Sequence, residues 1–237
     1  MPATLTRDVY YFGHHKCATN WMRAVLKDAA RALGMGYRVR GGRADDFEPA
    51  PERGSIRLYV NPLAERTPGS VSEPDRGFHL IRDPRDVLVS QYWSWRHSHE
   101  NNTPEIEALR ARLNELPVED GLLELLPHHR MLNQLRGKPV GDNPLVRVVR
   151  YEDLWDGGLR EFERLFAFLG LDLPETELAS MLERHSFAVR SGRAPGDEDT
   201  THHLRRGTPG GWREVFTPEL AEAFERAWPG ETARLGY

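Results

Sequence analysis

The chain has 237 residues, 39% of them hydrophobic, with a net charge of −4 and one cysteine. That length suits a single domain, residues 1–237, that buries a sizeable core without cross-links, and one thiol excludes an internal disulfide framework. The acidic balance excludes a global basic field, so any polyanion site must be local; no apolar run approaches a membrane span, and the default is a soluble cytoplasmic protein without nucleic-acid or membrane partners.

The organising stretch is Asp8 to Leu33. Val9, Tyr10, Tyr11 and Phe12, bounded by Gly13, read as a short buried parallel strand. Trp21, Val25, Ala29 and Ala32 or Leu33 then recur at helical spacing, and Gly34 sits where a left-handed residue closes a helix. Between them lies GHHKCATN, a small-residue loop with Lys16 just before the helix. Such a turn aims free backbone N–H groups and the positive end of the helix dipole at one spot, which favours phosphate or sulfate. A Walker A loop needs G-x-x-x-x-G-K-[ST]; here the residue after Lys16 is Cys17, so that pattern is not met.

Further on, Gly36 to Arg40 and Ile56 to Val60 are strand candidates, separated by an irregular Gly- and Pro-rich run. Gly77 to Arg82 is another strand, followed at once by Asp83 as a helix cap and Pro84 at the first helical position. Ser90 then lies roughly 9 Å along that helix at about 1.5 Å per residue, so an extended Arg82 and the Ser90 hydroxyl can converge on one anion. The competing reading pairs Arg82 with Asp83 or Asp86. A helical excursion over about 101–136 is predicted in two pieces, from Thr103 to about Leu116 and from Val118 to Leu135. Leu145 to Tyr151 is the last strand. Helices from about Gly158 to Leu169 and from Pro174 to His185 follow, then a polar loop of about 27 residues, a length that signals function or disorder. Thr217 and Pro218 start a final helix ending near Trp228.

Taken together, these pieces resemble the cytosolic-type sulfotransferases that use 3′-phosphoadenosine 5′-phosphosulfate (PAPS). That family's P-K-S-G-T-T-W loop is matched by HKCATNW, His15 to Trp21. Its strand-end arginine with a later serine is matched by Arg82 and Ser90 in IRDPRDVLVSQYW. Tyr151 in RYEDL, Ser186 with Phe187, and RRGTPGGWREVFT from Arg205 to Thr217 complete five motifs in the family order along nearly the whole chain.

The resemblance implies an α/β fold with a central parallel sheet flanked by helices, of the P-loop nucleotide-kinase-like sulfotransferase type. It implies transfer of a sulfuryl group from PAPS to a hydroxyl or amine of a small-molecule acceptor, with PAP released and no metal. The expected cofactor contacts are Lys16, Cys17, Ala18, Thr19, Asn20, Trp21, Arg82, Ser90, Tyr151, Phe187, Arg205, Arg206 and Gly207, the last belonging to a C-terminal cofactor loop of about 186–212. Two anion pockets separated by an adenosine fit the residues directly: Lys16, Thr19 and Asn20 for one end, and arginine forks with Ser90 for the other. Lys16 is the expected stabiliser of the leaving phosphate. Ala18 stands where the family has glycine, Asn20 where it has a second threonine, and Gly211 where it has aspartate.

The general base is the weakest match. The family's histidine before a proline falls at YVNP, Tyr59 to Pro62, which contains none. His15 and Asp46 are the candidates, with His14 and Asp45 behind them. Two other functions compete: a degenerate PAP-binding or PAPS-binding regulatory module, and a nucleotide or small-molecule kinase.

Overall fold

The computed structural model describes residues 7–39, 53–60, 67–98 and 103–237. Its frame is five strands: β1 (Val9–Gly13), β2 (Gly36–Val39), β3 (Ser55–Val60), β4 (Arg76–Ile81) and β5 (Val146–Arg150). All pairings are parallel, in the order β2-β3-β1-β4-β5. β1 is the middle strand, with Tyr11 opposite Leu58 on one side and Phe78 on the other. Every residue of β1 is buried, as a run of large apolar side chains covered on both sheet faces requires.

Helices supply the two covers. On one face α1 (Thr19–Ala32), α6 (Tyr151–Leu169) and α7 (Glu175–Arg184) pack Met22, Leu26, Phe162, Phe166 and Met181 against Val9 and Tyr11. On the other, α2 (Pro84–Trp93), α4 (Val118–Leu125), α5 (Arg130–Leu135) and α9 (Pro218–Ala227) gather Leu88, Leu122, Met131 and Phe224 around Ile81. Side chains removed from water this completely contribute about 1.5–3 kcal/mol each, so the faces on which they lie are fixed and the strand-end loops are held by a stiff platform.

The strand order has one reversal. The chain leaves β1 toward β2 and leaves β4 toward β5, yet β1 and β4 are neighbours. A crevice therefore opens between their carboxyl ends, where open α/β sheets bind ligands. Lys16 follows β1 and Arg82 follows β4.

Local expectations hold where a named cap carries them. Asp83 Oδ1 accepts from the Arg85 N–H at 2.9 Å, the Thr103 hydroxyl from the Ile106 N–H at 3.4 Å and the Thr217 hydroxyl from the Leu220 N–H at 3.1 Å. Gly34 takes φ 65° after α1. Three expectations are corrected. The stretch from Val118 to Leu135 is not one helix, because Pro127 cannot continue an α-helical ladder; a short 3-10 turn at Leu126–His128 separates α4 from α5. Tyr151 is the first residue of α6 rather than the end of a strand, and α6 includes Gly158 as an internal break at φ 49° and ψ −134°. The long polar loop begins as a short helix, α8 (Phe187–Ser191), capped by the Ser186 hydroxyl, which accepts from the Val189 N–H at 3.2 Å. The strand expected at Gly36 to Arg40 is seen through Val39; Arg40 lies outside the described residues.

Candidate active site

The loop after β1 is shaped by backbone conformations that side chains disfavour. Lys16 has φ 67° and Ala18 φ 52°, both left-handed, and Ala18 is the residue that caps α1. Such conformations persist when the surroundings over-determine them. Here the His14 carbonyl accepts from the Cys17 N–H at 3.2 Å and from the Thr19 hydroxyl at 2.9 Å, while the Ala18 carbonyl accepts from Met22 at 3.0 Å. Arg82 donates from Nη1 to the Lys16 carbonyl at 3.2 Å, tying the loop to the end of β4.

That contact places the separated motifs around one cavity of about 1170 Å³. His15, Lys16, Ala18, Thr19, Asn20 and Trp21 line it from the first loop, Arg82 and Ser90 from β4 and α2. Tyr151 and Phe187 with Arg205, Arg206 and Gly207 line it from the C-terminal half. Burial, together with the charges of Arg82 and Arg205, pushes the Lys16 ammonium down to about 8. Three cations around one crevice, with one of them already giving up its proton readily, form a site that gains by receiving anions.

Two expected residues do not line the cavity. Cys17 turns into the core, fully buried, with its Sγ 3.5 Å from the Met131 sulfur and its N–H spent on the His14 carbonyl. His14 is also fully buried and points into the sheet, with Nε2 2.7 Å from His79 Nε2 and Nδ1 2.7 Å from Gln134 Oε1. Asp45 and Asp46 lie outside the described residues, as do Asn61 and Pro62 of YVNP.

Flat surfaces flank the cations. Trp21 packs edge-on against Phe162 with ring centroids 5.3 Å apart, and Arg82 lies 4.8 Å over the Tyr151 ring. Gly207 has φ 73°, and a Cβ there would lie 2.3 Å from Phe187 Cγ, so glycine is what lets backbone and ring meet. The Gly207 carbonyl accepts from Trp155 Nε1 at 2.9 Å and from the Tyr151 hydroxyl at 3.3 Å. In these lining residues Trp21 Nε1 and Arg82 Nε are buried without a hydrogen-bond partner among the described residues.

Carboxylates that sequence reasoning gave no site role assemble this rim. Asp86 accepts from the Gly210 N–H at 2.6 Å and the Trp212 N–H at 2.9 Å, and pairs with Arg82 at 3.4 Å. The competing ion-pair reading of Arg82 and its place in the cavity are therefore both found. Asp83 pairs instead with Arg85, whose guanidinium lies 3.8 Å over Trp212. Glu152, its carboxyl raised by burial, accepts from the Asp83 N–H at 3.1 Å and from the Tyr237 hydroxyl at 2.7 Å. Arg193 was also missed: its guanidinium bonds the Leu204 carbonyl and the Arg205 carbonyl, the latter at 2.9 Å. The sequence signal for Asp86 is its place one helical turn after Arg82; nothing local marks Arg193.

Along α2 the chain presents a row of hydroxyls. Four α-helical residues overshoot a full turn by about 40°. The π-helical turn Ser94–Ser98 that follows α2 holds more residues per turn and rotates the row back, so Ser90, Ser94 and Ser98 all line the cavity.

Comparison with known proteins matches residues 72–234 to the sulfotransferase domain family. The chain belongs to the sulfotransferase family. It is 24% identical to human sulfotransferase 2A1 over 249 residues, covering 96% of this chain and 85% of the human protein. Its fold is shared by mouse sulfotransferase SULT7A1 complexed with PAP, with a TM-score of 0.61, 19% identity, and 96% and 84% of the two chains covered. Retinol dehydratase in complex with androsterone and PAP gives a TM-score of 0.53 at 16% identity, with 97% and 80% covered. This sulfotransferase transfers a sulfuryl group from PAPS to an acceptor, and neither the kinase nor the inactive-module reading is favoured.

Proposed function

We propose that the two anionic ends of PAPS are divided between the loop after β1 and the strand-end arginine cluster, and that the acceptor is a small molecule bearing a hydroxyl or amine. The observation that carries this is the convergence of Lys16, Arg82, Ser90, Arg205 and Arg206 on one cavity from widely separated parts of the chain. Lys16, Thr19 and the first turn of α1 take the phosphosulfate end; Arg82, Ser90, Arg205 and Arg206 take the 3′-phosphate. Trp21 and Phe187 offer their faces to the purine. PAPS supplies an activated sulfuryl group, and the protein's part is to align it and stabilise charge on the departing phosphate. Lys16 is placed for the second task.

His15 is the base we propose, since it lines the cavity beside Lys16 with its ring 6.4 Å from Trp95, whereas His14 is turned away. The acceptor then lies between His15 and the Ser94 and Ser98 hydroxyls. Androsterone and retinol in complexes of a structural neighbour support a small-molecule acceptor. No described helix is long and apolar enough to cross a membrane, and a cytoplasmic location is the one we propose.

Calorimetric titration tests the nucleotide assignment. PAP is expected to bind more tightly than ATP by about 2–4 kcal/mol, the scale of charge-assisted contacts to a phosphate that ATP lacks. Equal affinity, or a preference for ATP, overturns the assignment. For the base, His15→Asn should lower turnover roughly a hundredfold while PAP binding is largely kept; a near-normal rate in that variant shifts the role to Asp46, tested by Asp46→Asn.

A further inference from the structure

Neither His14 nor His79 lines the cavity, yet their imidazoles meet in the core directly beneath the loop that carries Lys16. The two Nε2 atoms are 2.7 Å apart, so one donates and the other accepts. His14 Nδ1 faces the Gln134 side-chain oxygen at 2.7 Å and therefore carries a proton. It follows that His14 Nε2 is the acceptor and His79 Nε2–H the donor. His79 is left with a buried Nδ1 that has no hydrogen-bond partner among the described residues.

A bare buried acceptor is costly, and an aliphatic residue at the same point of β4 would avoid it. What the imidazole gives in exchange is a fixed His14. The His14 carbonyl closes the loop through Cys17 and Thr19, and the loop holds two non-glycine residues, Lys16 and Ala18, in left-handed conformations. Burial lowers the His14 imidazole to about 4 and His79 well below its ordinary value, so both rings are neutral at neutral pH and can share a single N–H.

We propose that His79 is a positioning residue for sulfuryl transfer, holding Lys16 in register through the imidazole of His14. The proposal rests on the assignment of Lys16 to the transferred group, and the experiment separates the two. His79→Leu removes the donor; His79→Gln places an amide N–H at similar reach. With PAPS saturating, His79→Leu is expected to lose roughly 10- to 100-fold in kcat, the scale of a small misplacement of a catalytic group. Its melting temperature should change little, because the bare His79 Nδ1 is gone while His14 Nε2 loses its donor, and His79→Gln should recover most of the rate. A His79→Leu variant with normal kcat overturns the proposal, as does a folded His79→Gln variant as slow as the leucine variant. Long-range imidazole 1H–15N spectra of the unaltered protein give a reading independent of folding in the variants: His14 protonated at Nδ1 and His79 at Nε2. The opposite pair of tautomers overturns the brace alone, whereas an unaltered protein that binds no PAP overturns the assignment of the cavity.

Discussion

The loop after β1 and the segment from Gly192 to Trp212 both bring cations to the cavity, but they are held in opposite ways. The first loop is short, springs from the middle strand and is fixed from below by buried imidazoles and from the side by the Arg82 contact to the Lys16 carbonyl. The second is long and largely surface-lying, and its arginines are held by carboxylates at the protein's edge: Arg205 by Glu198, and Arg206 by Glu214 at 2.5 and 2.6 Å. Its links to the core are Asp86, through the N–H groups of Gly210 and Trp212, and Tyr151, whose hydroxyl donates to the Gly207 carbonyl. On the proposed assignment, the group that acts on the reacting bond is mounted rigidly, whereas the groups that hold the remote phosphate are mounted on a surface-lying element. Changes in the first loop should therefore show in rate, and changes in the second in affinity.

The largest effect is expected at Lys16. Lys16→Met should lower turnover a hundredfold or more with a smaller loss of PAP affinity, because stabilisation of a leaving group is realised mainly in the transition state. A loss of affinity matching the loss of rate would break the contrast between the loops. The lysine's lowered pKa of about 8 adds a pH test. Anion binding favours the ammonium, so below about 8 the lysine is already charged and affinity should be flat. Above it, binding must take up a proton and PAP affinity should fall, by at most about tenfold per pH unit. Calorimetry across pH would show this limb in the unaltered protein and its absence in Lys16→Met.

Asp86→Asn should come next. The asparagine side chain has one acceptor where the loop presents two N–H donors, and its NH2 faces a donor. Losing one charge-assisted bond at a buried site costs about 1.5–3 kcal/mol, so PAP affinity should drop at least tenfold while kcat at saturating PAPS changes less. Faster proteolysis between Gly192 and Trp212 would accompany it. An unchanged PAP affinity would mean that the segment is held by its surface ion pairs instead.

How much of this could be read in the sequence follows the same division. The sheet, the Asp83, Thr103 and Thr217 caps and the convergence of Lys16 with Arg82 were legible, because strand runs and capping residues are local signals and the motif order supplied the rest. The aromatic ring of Tyr151 continues an apolar β-branched run and so predicts a strand; the structure starts α6 there, with Glu152 and Asp153 in the first turn favouring a helix N-terminus. His14 looked like a loop residue near the ligand. Its burial depends on His79 and Gln134, distant in sequence, and no periodicity reports such a pairing. Arg193 was invisible for the same reason: its partners are backbone carbonyls, which every residue has.

Ala18→Gly should have a smaller effect, in the stabilising direction. Left-handed backbone costs an L-residue about 1–2 kcal/mol, and glycine's greater freedom in the unfolded chain takes back about 0.4–1 kcal/mol. A net gain of about 0.5–1 kcal/mol is expected from these terms in urea unfolding. No gain would mean that the first loop is under less constraint than its φ values indicate, and the view of it as a rigid mount would weaken.

The smallest effect is expected at Glu198, and its sign is the informative part. The Glu198 carboxylate contacts Arg205 and lies 3.8 Å from Arg206, but it is not itself part of the cavity lining. It therefore acts on the ligand only through the arginines, orienting them while opposing their charge. Glu198→Gln keeps an oxygen that can accept from Arg205 and removes the negative charge. If the segment's arginines are oriented well enough by Arg193 and Asp86, PAP should bind about two- to threefold more tightly, in keeping with the modest worth of partly exposed ion pairs, and the gain should shrink as salt screens it. Glu198→Ala should bind less tightly than Glu198→Gln, because it also gives up the orienting bond. Weaker binding in the glutamine variant would show that the ion pair itself holds Arg205 in place, and the second segment would then depend on its surface carboxylates as the first loop depends on its buried imidazoles.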